Sequence, residues 1–405
     1  MQGVVAHGAV GRRGAPGDRA CKQVARPVAS RPPMDGRDGP ITLHTLTDGG
    51  QTAEAVAAHL IAFLGTAHTS LDIALYDVRL PGAVGDAVAG TVRSAAGRGV
   101  AVRIAYNVDG ARRVPFPPPP RTRPDILAQL GVPLRGIGGE PDLMHHKYVV
   151  RDGTGVWTGS TNWTLDSWTR EENVIVTVDS AAVAAAYARD FDDLWSRGRV
   201  EGSGERDAVA VSVGGTATVA PWFCPGRGEA LAHRIAAVIG RARRRVRIAS
   251  PVLTSGPVLG TLAEVCAERR VDVAGVCDWT QVLQVFDQWG ANPASSWKAP
   301  LLAQVLEGAA FHGKRSTPYA PGTVHDYMHA KVTVADDVTF VGSFNLSRSG
   351  ELNAENVLEI DDPGVAQHMA DYIDAVRARY DDVTPPVAPS AVTGPPGASA
   401  PPRRA

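Results

Sequence analysis

The sequence predicts an α/β fold made of two tandem repeats, each containing a mixed β-sheet covered by helices. A group of polar residues occurs twice with nearly the same spacing, which indicates an internal repeat. Strand-like segments also alternate with helix-like segments in the same order in both halves. The 405 residues, of which 44% are hydrophobic and 20% charged, are enough for two hydrophobic cores of ordinary globular composition.

The predicted elements follow one another in matching order. Each half opens with a strand and a helix, over residues 41–46 and 53–64 in the first half and 217–223 and 229–239 in the second. A strand, a second helix and another strand come next, over 71–76, 84–97 and 102–106, and over 246–250, 257–269 and 271–276. A helix closes each half, at 181–195 and 364–380. Strands that alternate with helices predict sheets whose faces are covered.

The repeated polar group lies near the end of each half. Its first copy consists of His145, Lys147, Asp152, Gly159, Ser160, Asn162 and Glu172, and its second of His329, Lys331, Asp336, Gly342, Ser343, Asn345 and Glu355. In both copies the lysine follows the histidine by two residues and the aspartate follows it by seven. The asparagine follows by 17 and 16 residues, and the glutamate comes ten residues after the asparagine in both copies.

The residue types in this group predict phosphodiester chemistry. The segments 144–150 and 328–334 are rich in β-formers, and residues two apart on a strand share a face, so each histidine lies beside its lysine. Imidazoles, ammonium groups and carboxamides all donate hydrogen bonds to anionic oxygens, and lysine suits phosphate. One imidazole can attack phosphorus while the other protonates the leaving group.

The pattern His-x-Lys-x4-Asp followed by Gly-Ser-x-Asn resembles the phospholipase D superfamily in both copies, over roughly residues 41–380. The resemblance implies two α/β/α halves that share one active-site cleft at a pseudo-two-fold interface. It implies hydrolysis of a phospholipid phosphodiester through a phosphohistidine, which gives phosphatidic acid and a head-group alcohol. An endonuclease or a cardiolipin synthase-like phosphatidyltransferase of the same superfamily is the alternative.

The resemblance also implies a role for each residue. His145 would be the nucleophile, and His329 the acid that later serves as base. The phosphate would be bound by six residues: Lys147, Lys331, Asn162, Asn345, Ser160 and Ser343. Glu172 and Glu355 would each hydrogen-bond a catalytic imidazole, and Asp152 and Asp336 would be structural.

A metal site is not predicted by the remaining histidines. His145 and His146 are adjacent, so on a strand they point to opposite faces, and the second repeat has Ala330 where the first has His146. His146 is therefore expected to be a buried or hydrogen-bonded neighbour. His325, four residues before His329, is expected at the lip of the site. No metal or cofactor is expected.

The charge balance favours a phospholipid over a nucleic acid as substrate. Lysine and arginine number 41 against 42 aspartates and glutamates, whereas nucleic-acid-binding domains usually carry excess positive charge. The basic segment 241–247 is either a patch or the end of a helix that leads into a strand. No apolar run approaches the ~18 residues of a membrane span, which leaves room only for peripheral membrane contact. No signal peptide is recognised, so a cytoplasmic location is expected.

The domain organisation predicted is a disordered tail over residues 1–40, a first repeat over 41–200, a second over 201–383 and a disordered Pro-rich tail over 384–405. Residues 114–121 predict a stiff polyproline segment, and 279–319 a long aromatic loop. Its tryptophans suit either a lipid–water interface or packing against the body of the protein.

The four cysteines lack disulfide spacing and are expected as free thiols. No protein partner is predicted, and the chain is expected to be a monomer with an internal pseudo-dimer.

Overall fold

The computed structural model describes residues 39–108, 127–139, 142–320 and 322–386. The tails and the polyproline segment therefore lie outside the described residues, except for a few residues at the tail boundaries. Within the described part, a seven-stranded and a nine-stranded mixed sheet each carry helices, which confirms the predicted fold class.

The first repeat contains nine strands and four helices among its described residues. The strands are β1 (Ile41–Leu46), β2 (Ser70–Leu75), β3 (Val78–Arg79), β4 (Ala101–Asn107), β5 (Leu134–Ile137), β6 (Lys147–Arg151), β7 (Gly155–Gly159), β8 (Trp163–Thr164) and β9 (Asn173–Asp179). The helices are α1 (Ala53–Gly65), α2 (Gly82–Gly97), α3 (Leu165–Thr169) and α4 (Ala181–Arg197).

The second repeat contains nine strands and six helices within its described part. The strands are β10 (Val211–Val213), β11 (Ala217–Phe223), β12 (Arg245–Ser250), β13 (Asp272–Asp278), β14 (Ala310–Lys314), β15 (Val332–Ala335), β16 (Val338–Gly342), β17 (Asn356–Asp361) and β18 (Asp381–Asp382). The helices are α5 (Gly228–Arg241), α6 (Gly256–Glu268), α7 (Trp279–Ala291), α8 (Lys298–Gly308), α9 (Arg348–Leu352) and α10 (Pro363–Arg377).

The two large sheets have the same topology. The first has the order β1-β9-β7-β6-β2-β4-β5, and the second has β11-β17-β16-β15-β12-β13-β14 with β10 and β18 added at its edges. In both sheets the central strand pairs in parallel with the next strand of the α/β unit: β2 pairs with β4, and β12 with β13. On its other side the central strand pairs antiparallel with the strand that follows the histidine, which is β6 in the first sheet and β15 in the second. The repeat seen in the sequence is therefore a repeat of the fold.

Local signals explain where the principal helices begin and end. Ser180 caps the start of α4 by accepting a hydrogen bond from the Val183 N–H, and Gly198 ends it with a positive φ of 67°. Asp362 caps α10 in the same way, and Pro363 occupies its first turn. These two helices close the repeats, as the sequence predicted, and they contribute the buried side chains of a core that both sheets share.

Two further cores lie on the outer sides of the sheets. Helices α1 and α2 pack against the first sheet, and helices α5 to α8 pack against the second. Each sheet is thus covered on one face by its own helices and on the other by the shared core. Among the residues that the structure describes, no helix is long and apolar enough to cross a membrane.

The structure corrects two predictions of secondary structure. Residues 279–319 were predicted as a long loop, but they contain α7, α8 and β14, because Asp278 caps α7 and apolar residues of both helices join the core. Trp279 and Trp289 are buried there, whereas Trp297 is exposed. The predicted histidine strands also begin later, at Lys147 and Val332, because the residues before them pair with the other repeat.

Candidate active site

The two histidine segments each pair with the opposite repeat. Met144 forms a parallel bridge with Ala354, and the His145 N–H donates to the Ala354 carbonyl at 2.9 Å. In the reciprocal contact Met328 bridges to Glu172, whose carbonyl accepts the His329 N–H at 3.2 Å. This exchange brings both histidines to one cleft, as the resemblance implied.

The cleft has a volume of about 200 Å³. Residues of both repeats line it: Tyr76, His145, Asn162, Glu171, Pro251, Val252, Gln281, His325, Tyr327, His329 and Asn345. Four of the predicted site residues (His145, His329, Asn162 and Asn345) are therefore found together at its wall.

His145 is held by a carboxylate of the second repeat. Its Nδ1 lies 2.8 and 2.9 Å from the two carboxylate oxygens of Glu355. Because an ionised carboxylate only accepts hydrogen bonds, Nδ1 carries the proton and Nε2 keeps a lone pair in the neutral ring. Burial, together with the nearby Lys147 and Lys331, holds the pKa of His145 well below its usual value, which favours that neutral ring. Burial also raises the pKa of Glu355 to about 7.

His329 is held by two residues of the first repeat. Its Nδ1 lies 3.0 Å from Oδ1 of Asn173 and 3.3 Å from Oε2 of Glu171. The Asn173 amide in turn donates to Glu171 at 3.0 Å, so the two acceptors form one unit. Burial lowers the pKa of His329 well below its usual value and raises the pKa of Glu171 to about 7.

Glu172, predicted to hydrogen-bond a catalytic imidazole, does not do so. Its fully buried carboxylate accepts from the Lys314 ammonium at 2.8 Å, from the Asp48 N–H at 3.2 Å and from the Tyr380 hydroxyl. It joins the first repeat to the second, and the residue on either side of it contacts His329 instead.

A one-residue difference between the repeats explains this error. Gly159 pairs with Ile175 across β7 and β9, whereas Gly342 pairs with Val357 across β16 and β17. The residue that corresponds to Glu355 is therefore Asn173, and Glu172 corresponds to Ala354. The equal spacing of Glu172 and Glu355 from their asparagines is a coincidence of sequence.

Both motif lysines lie beneath the cleft. The ammonium groups of Lys147 and Lys331 donate to the carbonyl oxygens of His145 and His329 at 2.6 and 2.5 Å. Lys147 also lies 4.8 Å from the centre of the Tyr76 ring. Burial lowers the pKa of Lys147 to about 7 and lowers that of Lys331. A bound anion would favour their charged forms.

The asparagines of the motifs retain unused hydrogen-bonding capacity. The side-chain oxygens of Asn162 and Asn345 are buried and have no hydrogen-bond partner among the described residues. The Asn162 backbone is held by the Trp168 indole, which donates to its carbonyl at 2.8 Å. Because a carboxamide oxygen only accepts hydrogen bonds, an oxyanion at the cleft wall would be bound by the side-chain N–H groups of these two asparagines.

Ser160 and Ser343, expected to bind phosphate, have other contacts. Both are completely buried and neither lines the cleft. Ser160 donates to Asn173 at 2.6 Å and accepts the Val174 N–H at 2.9 Å, while Ser343 accepts the Asn356 N–H at 3.0 Å. The serine hydroxyls therefore hold the strands that carry Asn173 and Glu355.

The aspartates of the motifs occupy tight turns away from the cleft. Asp152 follows β6 with a φ of 53°, and Asp336 follows β15 with a φ of 52°. The Asp152 carboxylate accepts the N–H groups of three consecutive residues, His68 to Ser70, and Asp336 accepts those of Arg243 to Arg245. Each carboxylate ties the hairpin after the histidine to the start of the central strand. The basic segment 241–247 thus forms the end of α5 and the start of β12.

Two positioning residues were not predicted from the sequence. Asn107 and Asp278 end the corresponding strands β4 and β13. Asn107 accepts the N–H of Met144 and Asp278 that of Met328, both at 3.0 Å. Each therefore fixes the backbone directly before a motif histidine. Their position at the carboxyl end of a strand was the only sequence signal.

The remaining histidines take the places expected of them. His146 is completely buried, with Nδ1 3.1 Å from Oδ1 of Asn356 and Nε2 3.2 Å from Asp190. His325 lines the cleft, with its ring stacked on Tyr327 at 5.5 Å. Within the described ranges, no three His, Cys, Asp or Glu side chains are grouped to hold a metal ion. Cys224, Cys266 and Cys277 are free and buried.

Known proteins resemble this chain in sequence and in fold. Mitochondrial cardiolipin hydrolase of Xenopus laevis is 40% identical over 75 residues, which are 17% of this chain and 35% of the relative. The human protein of the same name is 27% identical over 145 residues, 36% of this chain and 52% of the relative. The chain thus spans between a third and about half the length of these relatives. The crystal structure of phosphatidylserine synthase from Haemophilus influenzae Rd KW20 superposes on this chain with a TM-score of 0.59 at 13% sequence identity. The superposition covers 84% of this chain and 87% of that one, and at this low identity it shows a shared fold and nothing about function.

The family match covers both repeats. The profile described as "Cardiolipin synthase, PLD-like domain" matches residues 60–195 and again residues 235–377. The two matched segments contain both histidine motifs and together make up more than half of the chain. The resemblance noted from the motifs is thereby confirmed, and the chain belongs to the phospholipase D-like domain family that this profile describes.

Proposed function

We propose that this protein hydrolyses a phospholipid phosphodiester by a phospholipase D-type reaction, releasing a head-group alcohol and phosphatidic acid. Phosphodiester chemistry follows from its superfamily; the substrate and the outcome are the proposal. The observation that supports it best is the reciprocal arrangement of the histidines. Each ring lies in one cleft, and each Nδ1 is held by an acceptor from the opposite repeat.

In the first step, Nε2 of neutral His145 attacks phosphorus and the bond from phosphorus to the head-group oxygen breaks. His329, in its protonated form, gives its Nε2 proton to the departing alkoxide. The phosphatidyl group is then bonded to His145, whose ring is cationic and is stabilised by the carboxylate of Glu355. An anionic diester in the cleft favours the protonated form of His329, which burial alone disfavours.

In the second step, neutral His329 takes a proton from water, and the hydroxide oxygen attacks phosphorus. The bond between phosphorus and His145 breaks, which returns neutral His145 and releases phosphatidic acid. Lys147, Lys331, Asn162 and Asn345 donate to the phosphate oxygens as charge develops on them. Every proton and electron pair returns to its starting place, with one water consumed.

The difference between the two ring partners supports His145 as the nucleophile. Glu355 contacts His145 through both oxygens, and a full negative charge best stabilises a cationic phosphohistidine. His329 has the neutral Asn173 as its nearer partner and Glu171 as the more distant one. A weaker negative environment makes a protonated ring a better proton donor.

The cleft lining favours a substrate with a single phosphodiester. Apart from Lys147 and Lys331 beneath it, which are assigned to the phosphate being cleaved, the cleft has no lysine or arginine among its lining residues in the described part of the chain. A nucleic acid presents further phosphates on either side of the bond to be cleaved, and such cations bind them. Cardiolipin is a candidate substrate, because the sequence relatives are named as cardiolipin hydrolases.

Transfer of the phosphatidyl group to an alcohol is the second candidate, because the family profile is named for cardiolipin synthase. The first step would be unchanged, and an alcohol would replace water in the second. The relatives are also named as mitochondrial, so the cytoplasmic location expected from the sequence stays a prediction.

The test is to identify products by mass spectrometry after incubation with mixed phospholipids that include cardiolipin, and separately with single-stranded and duplex DNA. We expect phosphatidic acid from the lipids, and no cleavage of DNA. Added ethanol distinguishes transfer from hydrolysis, because only transfer gives phosphatidylethanol. The His145→Ala variant serves as the inactive control.

DNA cleavage that disappears in His145→Ala, with no lipid product, would replace this proposal with a nuclease. Because side chains fill every role in the reaction, we expect the activity to survive EDTA. Loss of activity on chelation, with recovery on adding one divalent ion, would contradict the phosphohistidine mechanism.

A further inference from the structure

We propose that the tip of the α7–α8 hairpin, residues 290–298, is a membrane-docking surface that inserts Trp297 into an anionic phospholipid interface beside the cleft. The inference rests on the proposed function, because a phospholipid substrate lies in a lipid surface that the cleft must approach. Beyond the proposed function, the inference identifies the hairpin tip as the part of the protein that binds the membrane and Trp297 as the residue that contacts the lipid.

Trp297 is exposed although its side chain is large and apolar. Of the described residues, three large hydrophobic side chains are exposed: Val209 at 65%, Trp297 at 56% and Val324 at 41%. The seven residues before Trp297, from Gly290 to Ser296, carry no charge, and Lys298 follows directly. An uncharged tip that ends in tryptophan and lysine suits the boundary between lipid and water, where both side chains have an apolar body and a polar end.

Trp297 is not needed to hold the hairpin together. The buried residues of α7 and α8 include Trp289, Leu302 and Val305, and these belong to the core of the second repeat. Trp297 stands at the start of α8 and makes a cation–π contact with Lys298, whose ammonium lies 5.7 Å from the Trp297 ring centre. Its exposure therefore has no structural explanation in the hairpin itself.

Hydrogen bonds connect this tip to the wall of the cleft. The Lys298 ammonium donates to the Thr254 carbonyl at 3.1 Å, and the Thr254 N–H donates to the Leu346 carbonyl at 2.7 Å. Thr254 lies two residues from Val252, and Leu346 follows Asn345; both Val252 and Asn345 line the cleft. A membrane that takes up Trp297 would therefore lie near the segments that form the active site.

A second exposed apolar residue lies beside the cleft. Val324 immediately precedes His325, which lines the cleft. The third, Val209, lies on the segment between the repeats and lines a different cavity, with residues of α4. Two of the three exposed apolar side chains are therefore attached to cleft-lining segments, and the third provides a matched control.

The charges near Trp297 complement an anionic lipid. Lys298 is next to it, and its pKa is lowered by burial, raised by nearby Glu351 and lowered to a smaller extent by Arg348. Because Arg348 is paired with Glu351 at 2.7 Å, the positive charge of the tip is mainly that of Lys298. Arg348 begins α9 and is exposed. Cations beside an interfacial tryptophan strengthen binding to negatively charged lipid, and salt weakens that contribution.

The experiment measures partition of the full chain onto vesicles of phosphatidylcholine with and without cardiolipin, by flotation. Trp297→Ala should reduce partition onto the cardiolipin vesicles about tenfold, through loss of one large buried apolar group. Trp297→Phe should restore most of it, and Val209→Ala should have no effect. Binding should be stronger to cardiolipin vesicles than to pure phosphatidylcholine and should fall with rising salt.

Cleavage of a soluble p-nitrophenyl phosphodiester is measured in the same variants and should be unchanged in Trp297→Ala. The proposal is overturned if that variant binds vesicles as the wild type does, if Val209→Ala loses as much, or if Trp297→Ala instead converts a dimer to a monomer on sizing. Vesicle binding that needs Trp297, in a protein that cleaves no phospholipid, would keep the docking surface and reject the proposed function.

Discussion

At the scale of single residues, the hydrogen-bond acceptor on each imidazole determines what that imidazole can do. His145 is paired with the carboxylate of Glu355, and His329 with the amide oxygen of Asn173 and then the carboxylate of Glu171. The repeats thus supply the same two residue types, glutamate and asparagine, in exchanged positions. Asn353 completes the exchange, since its amide donates to Glu355 at 3.2 Å as the Asn173 amide does to Glu171.

The neighbouring glutamates Glu171 and Glu172 should respond differently to the same substitution. Glu171→Gln removes the charge that favours the protonated form of His329, so a smaller fraction of the enzyme carries the proton donor and kcat should fall about tenfold or more, while the melting temperature changes little. Glu172→Gln leaves the Lys314 ammonium without its nearest buried carboxylate, so the free energy of unfolding should fall by about 3 kcal/mol. Its kcat, measured below the melting transition, should stay close to that of the wild type.

Steady-state kinetics and thermal unfolding of both variants provide the comparison. The double variant Glu172→Gln with Lys314→Met is the control, because it removes both charges and should recover part of the lost stability. A larger loss of kcat in Glu172→Gln than in Glu171→Gln would contradict the contacts described for His329.

At this scale the sequence predicted the two histidines and two asparagines that line the cleft, but not the partner of His329. The two histidine motifs were found because their internal spacings agree, and the spacing also identified Glu355 as a partner. Compared with the second repeat, the first has one extra residue between Asn162 and β9, and only the strand register reveals it. Counting residues from the asparagine therefore pointed to Glu172 as the partner of His329, whereas the partners are Glu171 and Asn173. The burial of Ser160 and Ser343 likewise depends on tertiary contacts that a motif does not contain.

At the scale of elements, each motif aspartate connects a hairpin to the central strand of its sheet. Asp152 joins the β6–β7 turn to the start of β2, and Asp336 joins the β15–β16 turn to the start of β12. Both have a positive φ, which aspartate and asparagine tolerate better than most residues. The aspartate in the motif is thus explained by the turn that follows the histidine strand.

Asp152→Asn should destabilise the protein at neutral pH, and progressively less so as the pH falls, because it keeps the backbone preference and removes the charge. Burial disfavours ionisation of Asp152, but hydrogen bonds from the backbone N–H groups of residues 68–70 outweigh it and lower its pKa to about 2. A lowered pKa contributes stability above the unfolded-state value of about 4, and this contribution is lost as pH falls towards 2. The melting temperatures of wild type and variant should therefore converge as pH falls from 4 to about 2.

The control is Asp86→Asn on the exposed side of α2, which should track the wild type at every pH. Equal melting temperatures for wild type and Asp152→Asn at neutral pH would show that the turn contacts contribute nothing. If the difference in melting temperature between wild type and Asp152→Asn became larger below pH 4, the result would contradict a lowered pKa of Asp152 in the folded protein.

Helices and strands with regular periodicity were predicted well, and the aromatic segment 279–319 was not. Helices α1, α2, α4, α5, α6 and α10 lie where the alternating pattern placed them. The segment 279–319 contains several glycines and prolines, which favoured a loop. Its helices are held by the Asp278 cap and by burial of Trp279, Val282 and Trp289, and such packing is not visible in a local pattern.

At the scale of the whole molecule, the two repeats are interdependent. Each histidine takes its partner from the other repeat, the backbone bridges at Met144 and Met328 are reciprocal, and one hydrophobic core contains residues of both sheets. A single chain therefore contains all the residues of one cleft. The sequence predicted that the two repeats meet at one cleft. It could not show which residue of one repeat accepts a hydrogen bond from which histidine of the other.

Mixing two inactive variants tests whether the cleft is formed within one chain. His145→Ala and His329→Ala should each lack activity towards phospholipid, and an equimolar mixture of the two purified proteins should remain inactive. If clefts formed between chains, exchange of subunits would restore wild-type sites in the mixture. Recovered activity, together with a dimer on light scattering, would contradict the single-chain cleft.

The most direct test of the mechanism is to locate the covalent intermediate. His329→Ala is mixed with a p-nitrophenyl phosphodiester, which needs no proton donor because its leaving group is good, and is quenched in alkaline denaturant, which preserves phosphohistidine. Peptide mass spectrometry then identifies the modified residue in this variant and in His145→Ala. The mechanism predicts an adduct on His145 in the first variant and none in the second. An adduct on His329 in the second variant would exchange the two roles, and absence of any histidine adduct during turnover would contradict covalent catalysis.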